Sequence, residues 1–230
     1  MANDSLTIRV TDYIFDYIRD NELSTGETLP SELRTSTELS ISRGIVREAF
    51  RSLEVAGIIE KENGRSPKVG MLNSEFLTQL MLHAISTKQV SVMQVLELRT
   101  SIEMLAAELA ARKRTRSDVQ RLRTAVAGMR DAVGKPATFV KHDLDFHDLI
   151  NRASGNPLIE IICAAMHESM QESMRIGLLK RKGGADILQV VDSHEIIVDA
   201  IEQQNSGLAG LMMKKHFADA KAALAKAQAK

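Results

Sequence analysis

The sequence predicts a mostly α-helical protein with two domains, which we place at residues 1–72 and 73–230. Aromatic residues form only 3% of the 230-residue chain and tryptophan is absent. Such a composition favours helix over sheet. Apolar residues also recur at helical spacing along most of the chain. The two short strand candidates both precede residue 72, and the periodic segments after it are all helical, which sets the boundary.

Three helices and a hairpin are predicted in the N-terminal domain. Apolar spacing and capping residues indicate helices over residues 5–21, 31–39 and 43–56. Ser31 and Ser42 are the candidate N-caps of the second and third helices, and Gly57 ends the third. The strand candidates are residues 58–61 and 67–71. The Asn63-Gly64 pair between them is typical of a tight turn, so the whole order predicts a winged helix-turn-helix domain.

Long helical segments make up the C-terminal domain, and we predict an all-α bundle of six or seven helices. Their predicted ranges are 75–86, 90–113, 116–132, 137–154, 157–180, 186–204 and 207–228. Glycine and proline mark several of the breaks between them. Asn156 has the position of an N-cap and Pro157 that of the first helical residue, where the missing N–H of proline costs nothing.

Composition and charge restrict the possible partners and compartments. The formal net charge is zero, and acidic side chains outnumber basic ones before residue 73, so a DNA-binding hypothesis must rest on local placement of charge. The single cysteine, Cys163, excludes an internal disulfide and fits a reducing compartment. Neither a secretion signal nor a bilayer-spanning apolar run is evident. We therefore expect a cytoplasmic protein with no membrane partner.

Arginines form a row on the third predicted helix. Arg43, Arg47 and Arg51 recur every four residues and so share one face. Arginine forks on a major-groove helix bond guanine edges or phosphates. Ser42 at the helix N-terminus could bind a phosphate or simply cap the helix, and Arg65 in the predicted wing could reach the DNA. The alternative is a solvated face whose charges pair with glutamates of the same helix.

A metal site is the first hypothesis for the C-terminal domain. Asp143 and His147 lie four residues apart on one helix and can converge on an ion. His194 and His216 each interrupt an apolar helical stripe. Taken one at a time, these residues have ordinary explanations: Asp143 and His147 as an Asp–His pair, and His194 and His216 as histidines of the core. Together, three imidazoles and a carboxylate suit a borderline divalent ion, with Zn²⁺ as the leading candidate and Ni²⁺ or Mn²⁺ as alternatives.

An arginine on an apolar stripe is the second unusual feature of this domain. Arg99 stands where an apolar side chain is expected, and a buried guanidinium needs a partner. It could pair with Glu103 one turn away, or it could clamp the carboxylate of a ligand. Asp145 is expected to face away from His147. The remaining histidines are assigned to surface or packing positions: His83, His142 and His167.

A string of residues in the N-terminal domain resembles a known signature. The string is Leu29-Pro30-Ser31-Glu32, Ser42-Arg43, Val46-Arg47-Glu48-Ala49-Phe50, Leu53, Gly57-Ile58-Ile59 and Asn63-Gly64-Arg65. Over about residues 8–71 it is similar to the winged helix of GntR-family bacterial regulators. The resemblance implies that Arg43 and Arg47 contact bases or phosphates and that Gly64 is a wing glycine. Leu33 stands where many relatives carry arginine, which makes the next residue, Arg34, the candidate for a phosphate contact.

A second set of residues resembles the FCD domain, the helical ligand-sensing domain of the FadR-type branch of that family. The set is Glu97-Leu98-Arg99, Glu103, Asp143 to His147, Gly155-Asn156-Pro157, His194-Glu195 and His216, within about residues 76–228. The resemblance implies a divalent ion on Asp143, His147, His194 and His216, and an effector acid on Arg99. Fatty-acyl-responsive members lack these ligands, which disfavours acyl-CoA as the effector.

The resemblances imply a transcriptional regulator without catalytic residues. We expect a homodimeric repressor of a catabolic operon that binds a pseudo-palindromic operator and responds to a small carboxylate at the metal site. One rival is a metal-dependent hydrolase, since an open metal position can activate water. The other is a regulator that senses the metal itself.

Overall fold

The computed structural model describes residues 2–62, 65–179 and 184–228, and the mostly α fold is confirmed. The chain divides into two compact units, residues 1–76 and 77–230. Within the described residues, no helix is long and apolar enough to cross a membrane.

The N-terminal unit contains three helices and a small antiparallel sheet among its described residues. The elements are α1 (Ala2–Asp20), α2 (Glu32–Leu39), α3 (Arg43–Val55), β1 (Ile59–Glu60) and β2 (Lys68–Val69). The two strands pair Ile59 with Val69. Both strands are shorter than predicted. The other edge of β2 is also paired: Leu29 N–H donates to the Pro67 carbonyl, and Val69 N–H donates to the Glu27 carbonyl. Residues 27–29 lie outside the predicted helices and strands.

Capping residues and a small core fix the helix-turn-helix. The Ser31 hydroxyl accepts a hydrogen bond from Arg34 N–H at 3.2 Å, as an N-cap should. Ser40 takes a left-handed conformation, with φ of 56°, that turns the chain between α2 and α3. The buried side chains that hold the unit together are Val10, Ile14, Leu29, Ile41, Val46, Ala49, Phe50, Leu53 and Ile59. They leave the opposite face of α3 to solvent.

The C-terminal unit is a helical bundle, and its described residues form seven helices. They are α4 (Glu75–Ser86), α5 (Val92–Lys113), α6 (Arg116–Asp131), α7 (Pro136–Ala153), α8 (Pro157–Leu179), α9 (Gly184–Glu202) and α10 (Ser206–Gln228). Ser91 and Thr115 begin α5 and α6 with reciprocal capping boxes. Asn156 caps α8 as predicted, because its side-chain oxygen accepts the N–H of Leu158 at 3.1 Å.

Helix α5 lies at the centre of the bundle and packs on α7, α8, α9 and α10. Buried alanines on α5, among them Ala106 and Ala110, allow close approach of the neighbouring backbones. At Gly210 of α10, an added Cβ would lie 2.6 Å from Glu108 Oε1, so a larger residue there would displace the Glu108 side chain. This packing brings polar side chains of several helices into one interior site.

Candidate metal site, effector cavity and nucleic-acid interface

Three histidines from three different helices meet inside the C-terminal bundle. They are His147 on α7, His194 on α9 and His216 on α10, and one ring nitrogen of each lies within 4.8 Å of the others. All three side chains are buried, with 1%, 0% and 8% of their surface exposed. The apolar stripes that carry His194 and His216 face this interior, which explains the spacing seen in the sequence.

Two of these rings have their orientation set by hydrogen bonds at Nδ1. His147 Nδ1 bonds the Glu103 carboxylate, and because a carboxylate only accepts, the nitrogen donates. His194 Nδ1 lies 2.7 Å from the Val190 carbonyl oxygen and must also donate. In a neutral imidazole the proton on Nδ1 leaves a lone pair on Nε2. Both rings therefore offer Nε2 as a ligand atom.

The ring of His216 is oriented in the same way, by a hydrogen bond from Nδ1 to the Ser193 hydroxyl. The Ser193 hydroxyl gives its proton to the Val190 carbonyl at 2.6 Å, so its oxygen is free to accept. That oxygen lies 3.2 Å from His216 Nδ1, which then donates and leaves a lone pair on Nε2. Fixing the distant nitrogen of a histidine in this way is the usual support for a metal ligand.

Asp143 adds a carboxylate to the three lone pairs. Its Oδ1 is 3.1 Å from His194 Nε2, yet that buried nitrogen has no properly aligned hydrogen bond. A carboxylate facing an imidazole lone pair in a buried site is unfavourable unless a cation lies between them. The donor set therefore fits a divalent ion. Asp145 is exposed, as its place on the helix predicts.

The charges around this cluster agree with a site for a cation. Burial raises the pKa of Asp143, but the close contact with His194 and the nearby His147 and His216 rings outweigh burial and hold that pKa below its usual range. Burial lowers the pKa of His147 although Glu103 opposes the change. Burial, reinforced by the other two rings, lowers the pKa of His216 well below normal. The cluster thus holds ionised Asp143 beside neutral His147 and His216, as a metal requires.

Arg99 pairs with Glu103, which is one of its two predicted roles, and it retains N–H donors for the other role, a clamp for a ligand carboxylate. Its Nε donates to Glu103 Oε1 at 2.5 Å, and both side chains are fully buried. Its guanidinium carbon lies 5.0 Å from the ring centre of Phe217, a cation–π contact. Among the described residues, Nη1 contacts only the Met174 sulfur, at 3.6 Å, and the buried Nη2 has no hydrogen-bond partner. Arg99 therefore pairs with Glu103 through Nε and retains Nη1 and Nη2 as donors for a ligand.

A cavity of about 100 Å³ adjoins both Arg99 and the histidine cluster. Its lining includes Arg99, Asp143, His147 and His216. The rest of the lining is apolar: Leu96, Phe139, Val140, Met170, Met174, Val190, Phe217, Ala220, Ala223 and Leu224. A space of this size, with an arginine fork on its wall, suits a small carboxylate.

One interior residue was missed by the sequence analysis. His167 on α8 is 4% exposed, and its two ring nitrogens contact Glu103 and Asp148. The sequence placed it at the surface or in packing, because its polar partners lie 19 and 64 residues away and form no local pattern. His83 is exposed and His142 is half-buried against Gly128, in line with that assignment.

A groove on the N-terminal unit collects most of the predicted DNA-binding side chains. Its lining includes Arg43 and Arg47 of α3 and Arg65 of the wing. Lys61, which was not among the predicted residues, also lines it. Arg47 Nε is 3.7 Å from Glu32, and Glu32 also pairs with Lys61, so this acid of α2 links α3 to the residue that follows β1. Arg43 forms no ion pair with any other described residue.

Three further predicted positions have different surroundings. Ser42 is exposed at the N-cap position of α3, but its hydroxyl makes no capping bond and is free to reach a phosphate. Arg34 lies outside the groove lining, pairs with Glu38 at 2.7 Å and stacks 5.7 Å from the Tyr17 ring centre. Gly64, the predicted wing glycine, lies outside the described residues.

Comparison with known families and structures agrees with this architecture. Residues 6–69 match the bacterial regulatory proteins of the gntR family, and residues 94–219 match the FCD domain. The fold is similar to Streptococcus agalactiae GntR, with 25% identity, a TM-score of 0.68 and coverage of 94% of this chain and 98% of that one. It also resembles E. coli McbR/YncC at 16% identity, with a TM-score of 0.53 and coverage of 98% and 99%.

Relatives of similar length are transcription regulators. The HTH-type transcriptional regulator LutR of Bacillus subtilis is 28% identical over 87% of this chain and 92% of its own. The HTH-type transcriptional repressor NanR of Cronobacter sakazakii is 25% identical over 94% and 84%. The Glc operon transcriptional activator of Escherichia coli is 31% identical over 72% and 67%. The chain belongs to the GntR family, in the FadR-type branch with an FCD domain, and is a DNA-binding transcriptional regulator.

Proposed function

We propose that this regulator is a homodimeric repressor of a catabolic operon, and that a small carboxylate bound at a divalent metal in the bundle releases it from a pseudo-palindromic operator. Two-fold symmetry of the dimer would match the two half-sites of such an operator. The protein would act in the cytoplasm, where it meets the DNA. The relatives' names include a repressor and an activator; we propose repression because the repressor aligns over more of this chain.

The observation that carries the sensing part of the proposal is the shared cavity of Arg99 and the histidine cluster. Asp143, His147, His194 and His216 would hold the ion, and the ion would supply an open position for a carboxylate oxygen. Nitrogen and carboxylate ligands favour Zn²⁺, with Ni²⁺ or Mn²⁺ as alternatives. Arg99 would bind the same carboxylate with the two nitrogens that Glu103 does not occupy.

The DNA-binding part of the proposal rests on the groove of the N-terminal unit. Arg43 and Arg47 are exposed on α3, and Arg65 lies on the same groove from the wing. They would contact bases or phosphates in and beside the major groove, with Ser42 at the helix N-terminus holding a phosphate. Arg34 is better explained by its contacts with Glu38 and Tyr17 than by DNA binding.

The two rival functions are less well supported. The relatives are named as regulators of transcription, and the chain's own reader groove has no purpose in a hydrolase. A sensor of the metal alone would leave unexplained why Arg99, whose Nη2 has no hydrogen-bond partner among the described residues, lines the cavity beside the metal ligands. A carboxylate effector accounts for both the metal ligands and the free arginine donors.

A DNA-shift assay tests the proposal. Operator fragments are first selected from a random duplex library with the Zn²⁺-loaded protein, and the complex is then challenged with a panel of mono-, di- and tricarboxylates. We expect at least one acid to release the DNA from wild type and not from protein stripped of metal. A switch in DNA affinity when Zn²⁺ is titrated into metal-free protein with no acid present would support a metal sensor, and failure to select any sequence would contradict the assignment of the DNA-binding groove.

A further inference from the structure

The Glu103 carboxylate is the meeting point of three hydrogen-bond donors in the centre of the bundle. Oε2 accepts from His147 Nδ1, and Oε1 accepts from Arg99 Nε. Oε1 also lies 3.0 Å from His167 Nε2. Burial raises the pKa of Glu103, but Arg99 and the two imidazoles outweigh it and hold the pKa well below its usual range. Glu103 is therefore an ionised group that links Arg99 to a metal-site histidine.

His167 connects this buried acid to the outer part of the bundle. Its Nε2 faces Glu103 and its Nδ1 lies 2.8 Å from Asp148 Oδ1, so both ring nitrogens bond carboxylates. The ring is 4% exposed, while the Asp148 side chain is 38% exposed. His167 lies outside the lining of the effector cavity and contributes no atom to the histidine cluster. Its hydrogen-bond link to that site runs through Glu103, and its ring also packs edge-on against the His147 ring, with 6.0 Å between the ring centres.

We propose that His167 is a positioning residue of the metal site: it holds the Glu103 carboxylate in the orientation that makes His147 present Nε2 to the ion. The inference rests on the proposed metal site and assigns a role to a residue outside it. With His167 in place, Arg99 and His167 share Oε1 and hold Oε2 towards His147. The Nδ1–H form of His147 is then the favoured one.

Removing His167 takes away one of the two donors that restrain Oε1. Arg99 becomes the remaining strong partner of that oxygen, and the carboxylate is free to turn both oxygens towards the guanidinium fork, a favoured bidentate geometry. His147 would then lose its acceptor and populate both neutral forms, only one of which offers Nε2. The same turn would occupy the Arg99 donors that face the cavity. Loss of one histidine should thus weaken metal binding without removing a ligand.

Three variants separate this role from simple packing. His167→Leu removes both hydrogen bonds, whereas His167→Gln keeps a donor that can reach Glu103. His142→Gln is the matched control, because His142 is a half-buried histidine that packs on Gly128 and takes no part in the network. Zn²⁺ affinity is measured by competition with a chromophoric chelator. Ring ¹⁵N NMR of the metal-free proteins reports the proton position on His147.

For His167→Leu we expect Zn²⁺ affinity about 10- to 100-fold below wild type and a mixed proton position on His147. His167→Gln should recover part of the affinity, and His142→Gln should match wild type. Wild-type affinity and an unchanged ¹⁵N pattern in His167→Leu would overturn the inference. Equal losses in the Leu and Gln variants would also overturn it, because the donor would then be irrelevant.

The NMR measurement keeps this inference separate from the proposed function. If wild type binds no Zn²⁺, the metal part of the proposed function fails, and the ¹⁵N pattern of metal-free His147 alone decides the role of His167. If wild type binds Zn²⁺ and the His167 variants do not differ from it, only the positioning role fails. If His167→Leu does not fold, His167→Met, which keeps bulk and has no donor, takes its place with the same expected and contrary results.

Discussion

Arg99 shows how one side chain can serve structure and sensing together. Its Nε is committed to Glu103, while Nη2 has no partner and the side chain lines the cavity. The sequence could identify Arg99 as unusual because an arginine on an apolar stripe needs a reason. It could not choose between the pair with Glu103 and a ligand clamp, because that choice depends on side chains of α8 and α10.

The first residue-scale prediction concerns Arg99→Lys. Lysine keeps the charge but loses the planar fork, so its one ammonium, held at Glu103, cannot also present a bidentate pair of donors to an effector. Effector affinity should fall by about tenfold or more, the loss of roughly one charge-assisted hydrogen bond, while metal content and DNA binding without effector stay normal. Calorimetry with an acid identified in the DNA-shift panel measures the difference. Equal affinity in the two proteins would leave Arg99 a purely structural partner of Glu103.

The second residue-scale prediction compares His194→Ala with Asp145→Ala. His194 Nε2 points at Asp143 inside the cluster, whereas Asp145 is an exposed acid on the same helix as Asp143. The metal affinity of His194→Ala should fall by more than the roughly 10- to 100-fold expected when only a ligand's hydrogen-bond partner is lost. Asp145→Ala should bind the metal as wild type does. Elemental analysis after dialysis decides, and equal metal in His194→Ala and wild type would refute the cluster.

At the scale of elements, helix α3 and the groove beside it form the proposed DNA-binding surface. The sequence predicted the helices of this unit closely, because caps such as Ser31 and the apolar spacing of α3 are local signals. It did not predict that residues near Glu27 pair with β2, since that contact joins segments about 40 residues apart. It also assigned a phosphate contact to Arg34, which pairs with Glu38 and stacks on Tyr17 in the structure, and that contact stays a prediction.

Arg47→Ala and Arg51→Ala test the groove as a matched pair. Both residues are exposed arginines on α3, but only Arg47 lines the groove. Loss of a bidentate base contact costs about 1–3 kcal/mol, so Arg47→Ala should weaken operator binding about ten- to a hundredfold at fixed salt. Arg51→Ala changes the net charge equally and should have little effect. Equal losses would mean that the row of arginines acts through charge alone.

On the scale of the whole molecule, the two units should respond differently to acid. All six histidines lie at residue 83 or later, so the N-terminal unit has none. In the bundle, burial lowers the pKa of His147 and of His216, whereas the unfolded chain protonates near its ordinary pKa of about 6.5. Below that pH the unfolded state binds more protons, so the bundle loses stability as pH falls.

Scanning calorimetry of the metal-free protein at pH 7 and pH 5 measures this difference. Each of the two histidines can cost up to about 1.4 kcal/mol of unfolding free energy per pH unit below 6.5. The transition of the bundle should therefore move to lower temperature, while that of the N-terminal unit stays nearly constant. Equal shifts of both transitions would mean that buried neutral histidines do not govern the acid response.

The histidine cluster illustrates what the whole molecule adds to the sequence. Asp143 and His147 are one turn apart and could be paired from sequence alone, but His194 and His216 join them only because α7, α9 and α10 all pack on α5. Their grouping was a hypothesis from the sequence pattern and the family resemblance, and their Nδ1 partners came from the structure. Neither the sequence pattern nor the resemblance pointed to His167, because its polar partners lie on α5 and α7 and not on its own helix, α8.

The central claim is that Asp143, His147, His194 and His216 form one divalent-metal site in the effector cavity. Zinc K-edge X-ray absorption of the Zn²⁺-loaded full chain tests it most directly. We predict one retained ion per chain, with imidazole scattering from three rings at Zn–N distances of about 2.0–2.1 Å. Failure to retain zinc, or a coordination sphere without imidazole, would contradict the claim.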